Sequence, residues 1–272
     1  MATDLDGTLL RSDGSLSERT AAAVDAIANA GIAVVIVTAR PPRWVHEVAD
    51  RLPRCHPVAI CSNGALVYDL AESRLVREHP IPPEVSLEIV RRLRSELPRV
   101  AFAIETGLSY GHEPDYESQW PVPPDAIVAE VEALVARPVA KLIARHRETS
   151  RDHWELVSRA REVAGELAEI TCSGPAAPIE ISALGVSKAF ALELLAAEHG
   201  IEAAEVVAFG DMPNDLPMLA WAGYSVAPAD AHFEVLELVD EVTADHDADG
   251  VALVLERLLA DLGPGAAPQR AG

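Results

Sequence analysis

Cysteine is scarce in this chain, with three residues in 272: Cys55, Cys61 and Cys172. Three cannot pair off completely, and they stand at no metal-ligand spacing, so a disulfide framework and a thiolate metal site both lose their basis. They read instead as small buried hydrophobes in a reducing cytosol. Long apolar runs are missing too. No stretch approaches the roughly 18–20 uninterrupted apolar residues that cross a bilayer. The opening MATDLDGTLL has neither the basic nor the apolar region of a signal peptide, which predicts a cytoplasmic protein. Positive charge is short: 22 Lys and Arg against 43 Asp and Glu leave a net charge of −21, which argues against nucleic acid and anionic membrane as partners. The same field repels any anionic ligand, so a site for one must carry its own local cations. There is no G-x-S-x-G elbow, no G-x-x-x-x-G-K-[ST] loop and no internal repeat.

What is present is ample core material, 49% hydrophobic residues, laid out as strand and helix in alternation. Ser15-Leu16-Ser17-Glu18 has the form of a capping box led by Ser15, opening a helix that Gly31 can end. The β-branched run at 32–37 suits a parallel strand buried on both faces. Pro41-Pro42 can open a further helix, and 58–61 is another short strand closed by Ser62-Asn63-Gly64. After residue 185 the grammar repeats: helix 187–199, strand 206–209, helix 216–222, strand 224–226, helix 231–238 and helix 249–262. Such an order predicts an α/β fold, a doubly wound parallel sheet with right-handed crossovers. Between 81 and 184 the alternation lapses. Strands at 100–105, 141–145, 170–173 and 179–182, with helices at 84–97, 125–136 and 150–167, describe an inserted α+β unit. The expected division is a core from 1–80 and 185–262, a cap from 81–184 and a disordered tail at 263–272.

Candidate chemistry gathers at strand ends. Asp4-Leu5-Asp6-Gly7-Thr8 follows the first strand, at the sheet edge where open α/β folds bind ligands. The turn at Gly7 lets the two carboxylates take different tasks, one attacking and one handling protons. Thr38 ends the second strand and can hold a phosphate oxygen, cap a helix, or do both. Lys188 stands in the first turn of a helix, against the helix dipole, which suggests a bound anion nearby. Gly210-Asp211-Met212-Pro213-Asn214-Asp215 adds two carboxylates, of which one could simply cap the next helix. Magnesium takes oxygen ligands, and Asp4, Asp211 and the Asp6 carbonyl could supply them.

The segments DLDGTLL, IVTAR, SNGA, VSK and GDMPND, in this order, resemble the haloacid dehalogenase superfamily, and within it the Cof-type phosphatases with a type IIB cap. The resemblance covers residue 3 to about 259. It implies a Rossmann-like core with the cap inserted, and a magnesium-dependent phosphatase working through an aspartyl-phosphate. By the same resemblance Asp4 is the nucleophile, Asp6 the general acid/base, and Thr38 and Lys188 bind phosphate with Asn214 close by. Asp211 and Asp215 hold or orient magnesium, completing a metal set with Asp4 and Asp6. Asn63 and Gly64 match the family's NGA turn, close to the site, and are candidate substrate contacts. Small phosphorylated metabolites, sugar phosphates first, are the implied substrates of a monomer or homodimer. A phosphomutase, or a regulator that binds a phosphometabolite without turnover, are the alternatives.

Substrate choice is expected from the cap, because too few residues separate Asp6 from the first helix for a lid there. Tyr110 to Tyr116 concentrates aromatic and polar groups in a chain with 4% aromatics, and His112, Glu113 and Tyr116 are candidate contacts, with Arg40 from the core. Asp245-His246-Asp247 reads as a cap and turn rather than a metal site. Only three residues precede Asp4, whereas strands commonly run about five. The expectation is either a start further upstream or an unusually short first strand.

Overall fold

A computed structural model describes residues 1–52, 57–146, 153–174 and 177–262. Cys55, the predicted tail at 263–272 and the start of the predicted helix at 150–152 lie outside the described residues. The strands in chain order are β1 (Ala2–Thr3), β2 (Val35–Ile36), β3 (Val58–Cys61), β4 (Leu66–Asp69), β5 (Arg74–Glu78), β6 (Val100–Thr106) and β7 (Ser109–His112). They continue with β8 (Ile127–Val128), β9 (Lys141–His146), β10 (Ala168–Thr171), β11 (Ile179–Ala183), β12 (Val207–Phe209), β13 (Tyr224–Pro228) and β14 (Glu241–Thr243).

Five strands form a parallel sheet in the order β14-β13-β12-β1-β2. A backbone bond from Thr38 N–H to the Ile60 carbonyl, 2.8 Å, carries the sheet on to β3. Both faces are covered. Leu5, Val24, Ile27, Ile36, Phe209 and Leu255 pack on one side, and Ala2, Val35, Leu192, Ala208 and Met218 on the other. That two-sided burial is why β2 comes from an unbroken β-branched run rather than an alternating one. The chain runs from β1 outward to β2 and later returns to the opposite side of β1 with β12. The order therefore reverses between β1 and β12, so ligands are expected beyond the carboxyl ends of these two strands.

The second sheet, β10-β11-β9-β6-β7-β8, is antiparallel but for its last pair and has its own core around Ile89, Phe102, Leu142, Val157 and Ile181. Three expectations need correction. The strand–helix alternation does not run throughout, because β3 turns back through β4 and β5 as an antiparallel meander. The predicted helix at 125–136 is only the turn Val131–Leu134, preceded by β8. Gly111 explains this locally: a Cβ there would stand 3.3 Å from the Ile127 carbonyl oxygen, so its bare backbone lets β8 lie against β7. Ser17, not Ser15, caps the first helix (Glu18–Asn29), while the Ser15 N–H is taken by Asp13 at 2.8 Å. Asp245 to Asp247 does sit in a turn, where Asp247 binds the backbone and hydroxyl of Ser12.

Candidate active site

β1 is two residues long, so Asp4 follows at once, its N–H bonded to the Phe209 carbonyl at 3.0 Å. Thr38 comes two residues after β2, and Asp211 two after β12, at the order reversal. Lys188 is the first residue of the helix Lys188–Glu198, capped by the Ser187 hydroxyl. Its side chain is fully buried and its ammonium lies 2.6 Å from Asp4 Oδ1 and 2.6 Å from Asp215 Oδ1. The other oxygen of Asp215 accepts the backbone N–H groups of Asp211 and Met212 at 3.2 and 3.1 Å. Asp215 is therefore a strut that joins the lysine to the Asp211 loop. Thr8 donates its hydroxyl to Asp211 Oδ1 at 2.6 Å, which fixes that carboxylate within the cluster it forms with Asp4 and Asp215.

Burial dominates the electrostatics. It pushes the Asp4 carboxyl up to about 7, with Lys188 pulling in the opposite direction. Asp211 is raised well above the usual carboxylate range by burial and then by the charges of Asp4 and Asp215. Burial alone would lower Lys188, but Asp215 and Asp4 outweigh it and hold the ammonium above its ordinary value. Asp4, Asp211 and Asp215 each offer an oxygen within 4.8 Å of the others, all three buried against one ammonium. This surplus of buried negative charge, supplied wholly by oxygens, fits a hard divalent cation.

The structure brings Asp4, Thr38, Lys188, Asp211, Asp215 and Asn214 together at one edge. Asn214 donates to Asn63 Oδ1 at 3.1 Å, joining GDMPND to the NGA turn. Gly64 has φ +98° and lies so close to the Ser187 carbonyl that a Cβ would stand 2.1 Å from it. Asp6, expected to reach the metal through its backbone carbonyl, does not join the carboxylate cluster of Asp4, Asp211 and Asp215. Its carboxylate is 53% exposed and held by both arms of Arg40, at 2.5 and 2.8 Å. The reason is the turn at Gly7, φ +78°, which sends Asp6 outward while Asp4 stays under the sheet edge.

Above this edge a cavity of about 550 Å³ opens between the two sheets, lined by Asp4, Asp6, Thr38, Arg40, Asn214 and Tyr116, among others. His112 and Glu113 are not among its lining residues, contrary to the sequence expectation. Glu113 points into the cap interior, where it accepts from the Phe102 N–H at 2.8 Å and from Arg94. His112 shares its Nδ1 with the Glu113 carbonyl at 2.7 Å. Sequence reading missed Arg43, Trp44, Glu105, Trp120, Lys141 and Glu180, all of which line the cavity. Arg43 grips Glu105 of β6 through two bonds of 2.6 and 2.8 Å, and Trp44 meets Trp120 at 5.9 Å between ring centres. The scarcity of aromatics was the one available signal for the tryptophans.

A family profile described as haloacid dehalogenase-like hydrolase matches residues 1–255. The chain is 28% identical over 264 residues to the 5-amino-6-(5-phospho-D-ribitylamino)uracil phosphatase YitU of Bacillus subtilis, covering 94% of this chain and 96% of that one. It is 28% identical to the pyridoxal phosphate phosphatase YbhA of Escherichia coli, with 93% and 95% covered. Among solved structures, the subclass IIB sugar phosphatase BT4131 superposes with a TM-score of 0.80 at 21% identity, over 94% of this chain and 97% of that one, a likeness of fold. The chain belongs to the haloacid dehalogenase-like hydrolase family, as a phosphoric monoester hydrolase of the Cof type with an inserted cap.

Proposed function

We propose that the protein is a magnesium-dependent phosphatase of small phosphate monoesters, sugar phosphates or similar metabolites, acting through an aspartyl-phosphate on Asp4. The observation that carries this reading is the buried Asp4 carboxylate, fixed by Lys188 at 2.6 Å at the floor of a cavity of about 550 Å³. The named activities of the two curated relatives, both on small phosphorylated metabolites, support the substrate class. Among the described residues no helix is long and apolar enough to cross a membrane. A cytoplasmic monomer or homodimer with no nucleic-acid partner is part of the same proposal.

In this mechanism an Asp4 oxygen attacks phosphorus, and the bond to the leaving oxygen breaks with its electron pair. Asp6 gives that oxygen a proton, then takes one from the water that attacks the aspartyl-phosphate, releasing orthophosphate and free Asp4. Lys188 and Thr38 hold the phosphoryl oxygens, and Asn214 orients the neighbouring turn. Asp4 and Asp211 would hold the magnesium ion, with Asp215 fixing the Asp211 loop. When bound, the ion supplies positive charge against the transferring group, the main need in phosphoryl transfer.

The test is phosphate release from p-nitrophenyl phosphate and a panel of sugar phosphates, with and without magnesium, by wild type and Asp4→Asn. Magnesium-dependent release that disappears in Asp4→Asn is the expected result. An inert wild type that still binds magnesium would move the reading to a phosphomutase or a binding protein.

A further inference from the structure

The sequence contains two lysines in 272 residues, Lys141 and Lys188, and both side chains are buried at this one site. Lys188 is consumed by the chemistry. Lys141 belongs to β9 of the cap, is 4% exposed, and spends two of its three donors, on Glu180 Oε1 at 2.6 Å and on the Ala39 carbonyl at 2.8 Å. Glu180 lies on the adjacent strand β11, and its other oxygen accepts from Asn63 Nδ2 at 3.1 Å. Both residues line the cavity that contains Asp4 and Asp6.

Stability gives little reason for this pair. Desolvating an ammonium and a carboxylate costs several kcal/mol, and replacing a buried pair with apolar groups is often neutral or better. The rest of the cap wall is mostly apolar, from Tyr110, Tyr116, Trp120, Ile143 and Pro178, with Ser118, Gln119, Ser173 and Glu105 as its polar members, the last held in a fork by Arg43. Lys141 and Glu180 retain hydrogen-bonding capacity beyond their mutual bond: a third N–H, and a second lone pair on each carboxylate oxygen.

We propose that Lys141 and Glu180 are the cap's recognition pair for the leaving group, and that they select polyhydroxylated esters, carbohydrate or polyol phosphates. One hydroxyl oxygen accepts from Lys141 and a neighbouring hydroxyl donates to Glu180, a donor and acceptor set side by side as a vicinal diol requires. Glu180 also sets the amides behind it. A carboxylate only accepts, so Asn63 must turn its NH₂ to Glu180 and its oxygen to Asn214. Leaving-group recognition and the turns around the phosphoryl site thus share one hydrogen-bonded chain. This inference rests on the phosphatase reading.

The experiment compares kcat/KM for a hexose 6-phosphate with that for p-nitrophenyl phosphate, which has no hydroxyl beside its ester, using the magnesium-loaded enzyme. The variants are Lys141→Met and the double Lys141→Met/Glu180→Gln, the second because it strands no buried charge if the first fails to fold. The ratio of the two kcat/KM values is expected to fall about 30-fold or more in the double variant, the worth of a charged hydrogen bond. An unchanged ratio, whether both rates fall together or neither does, overturns the proposal. In parallel, the hexose 6-phosphate and orthophosphate are titrated calorimetrically into Asp4→Asn with and without the cap substitutions. Selective weakening of the sugar ester supports the pair even if the wild type hydrolyses nothing, and equal binding overturns it. A failed phosphatase reading is thereby separated from a failed recognition pair.

Discussion

At Gly7, two demands meet in one residue: a left-handed backbone, φ +78°, and no side chain, since a Cβ would fall 2.4 Å from Asp211 Oδ2. Gly14 has nearly the same backbone, φ +77°, with nothing within 4 Å of its Cβ position. The pair of alanine variants separates backbone strain from site damage. Both should lose about 1–2 kcal/mol of stability from the left-handed residue. Only Gly7→Ala should also displace Asp211, break its 2.6 Å bond from Thr8, and lower magnesium affinity and phosphate release, by about tenfold or more, a loss of only 1.4 kcal/mol in site energy. Thermal unfolding alongside steady-state rates checks this. Equal activity in the two variants would mean that Asp211 does not need its observed position. Lys188 makes the complementary case. Lys188→Met leaves Asp4 and Asp215 buried without their counter-ion, so Asp4 should become harder to ionise and turnover should be lost. The loss should persist at saturating magnesium, because the lysine binds both carboxylates at once. Recovery of turnover by excess metal would contradict that role.

Cap elements are fastened by residues that a sequence cannot assign. Glu113, just after β7, ties the β6 backbone at Phe102 to Arg94 of the helix Pro83–Glu96 and accepts from the Val131 N–H at 3.3 Å. Glu113→Ala orphans a buried amide and should destabilise the fold by about 1–3 kcal/mol. It should leave the order of preference among substrates unchanged, because the side chain does not line the cavity. A melting curve and a substrate panel test the two halves separately, and a reordered panel would return Glu113 to substrate contact. The same element shows where legibility ends. The strands β2, β3, β12 and β13 announce themselves because burial on both faces demands apolar runs, and β2 and β12 end at polar loops that carry Thr38 and Asp211, whereas β14, the partly exposed edge strand Glu-Val-Thr, gives no such signal. In the cap, β7 reads Ser-Tyr-Gly-His, which matches neither a helical nor an alternating pattern, and β8 is two residues that pair with Gly111 and His112. Lys141 and Glu180 are 39 residues apart and meet only because β9 and β11 are adjacent. Asp6 and Arg40 are 34 apart, so nothing local signals that the second aspartate turns outward.

Over the whole molecule, the net charge of −21 acts on two ligands of opposite sign that must occupy the same site. The long-range field concentrates a divalent cation near the protein and repels a phosphate ester, and it is this field that salt removes first. Screening lengths shrink from about 30 Å at 0.01 M to about 10 Å at 0.1 M ionic strength, while buried contacts such as Lys188 to Asp4 at 2.6 Å are screened far less. The two affinities should therefore respond in opposite directions. Raising potassium chloride across that range should weaken magnesium binding, measured by calorimetry on the free enzyme. At saturating magnesium the same change should tighten competitive inhibition by orthophosphate, because repulsion fades while Lys188, Thr38 and the bound cation still act at contact. If both affinities weakened together, the acidic surplus would still attract the metal, while the bound cation with Arg40 and Arg43 would set the field on the ester. If neither moved, the field at the cavity floor would be set by the buried cluster alone. Opposite slopes would show that the acidic surface attracts the metal and opposes the ester, leaving the metal and Lys188 to hold the ester at contact.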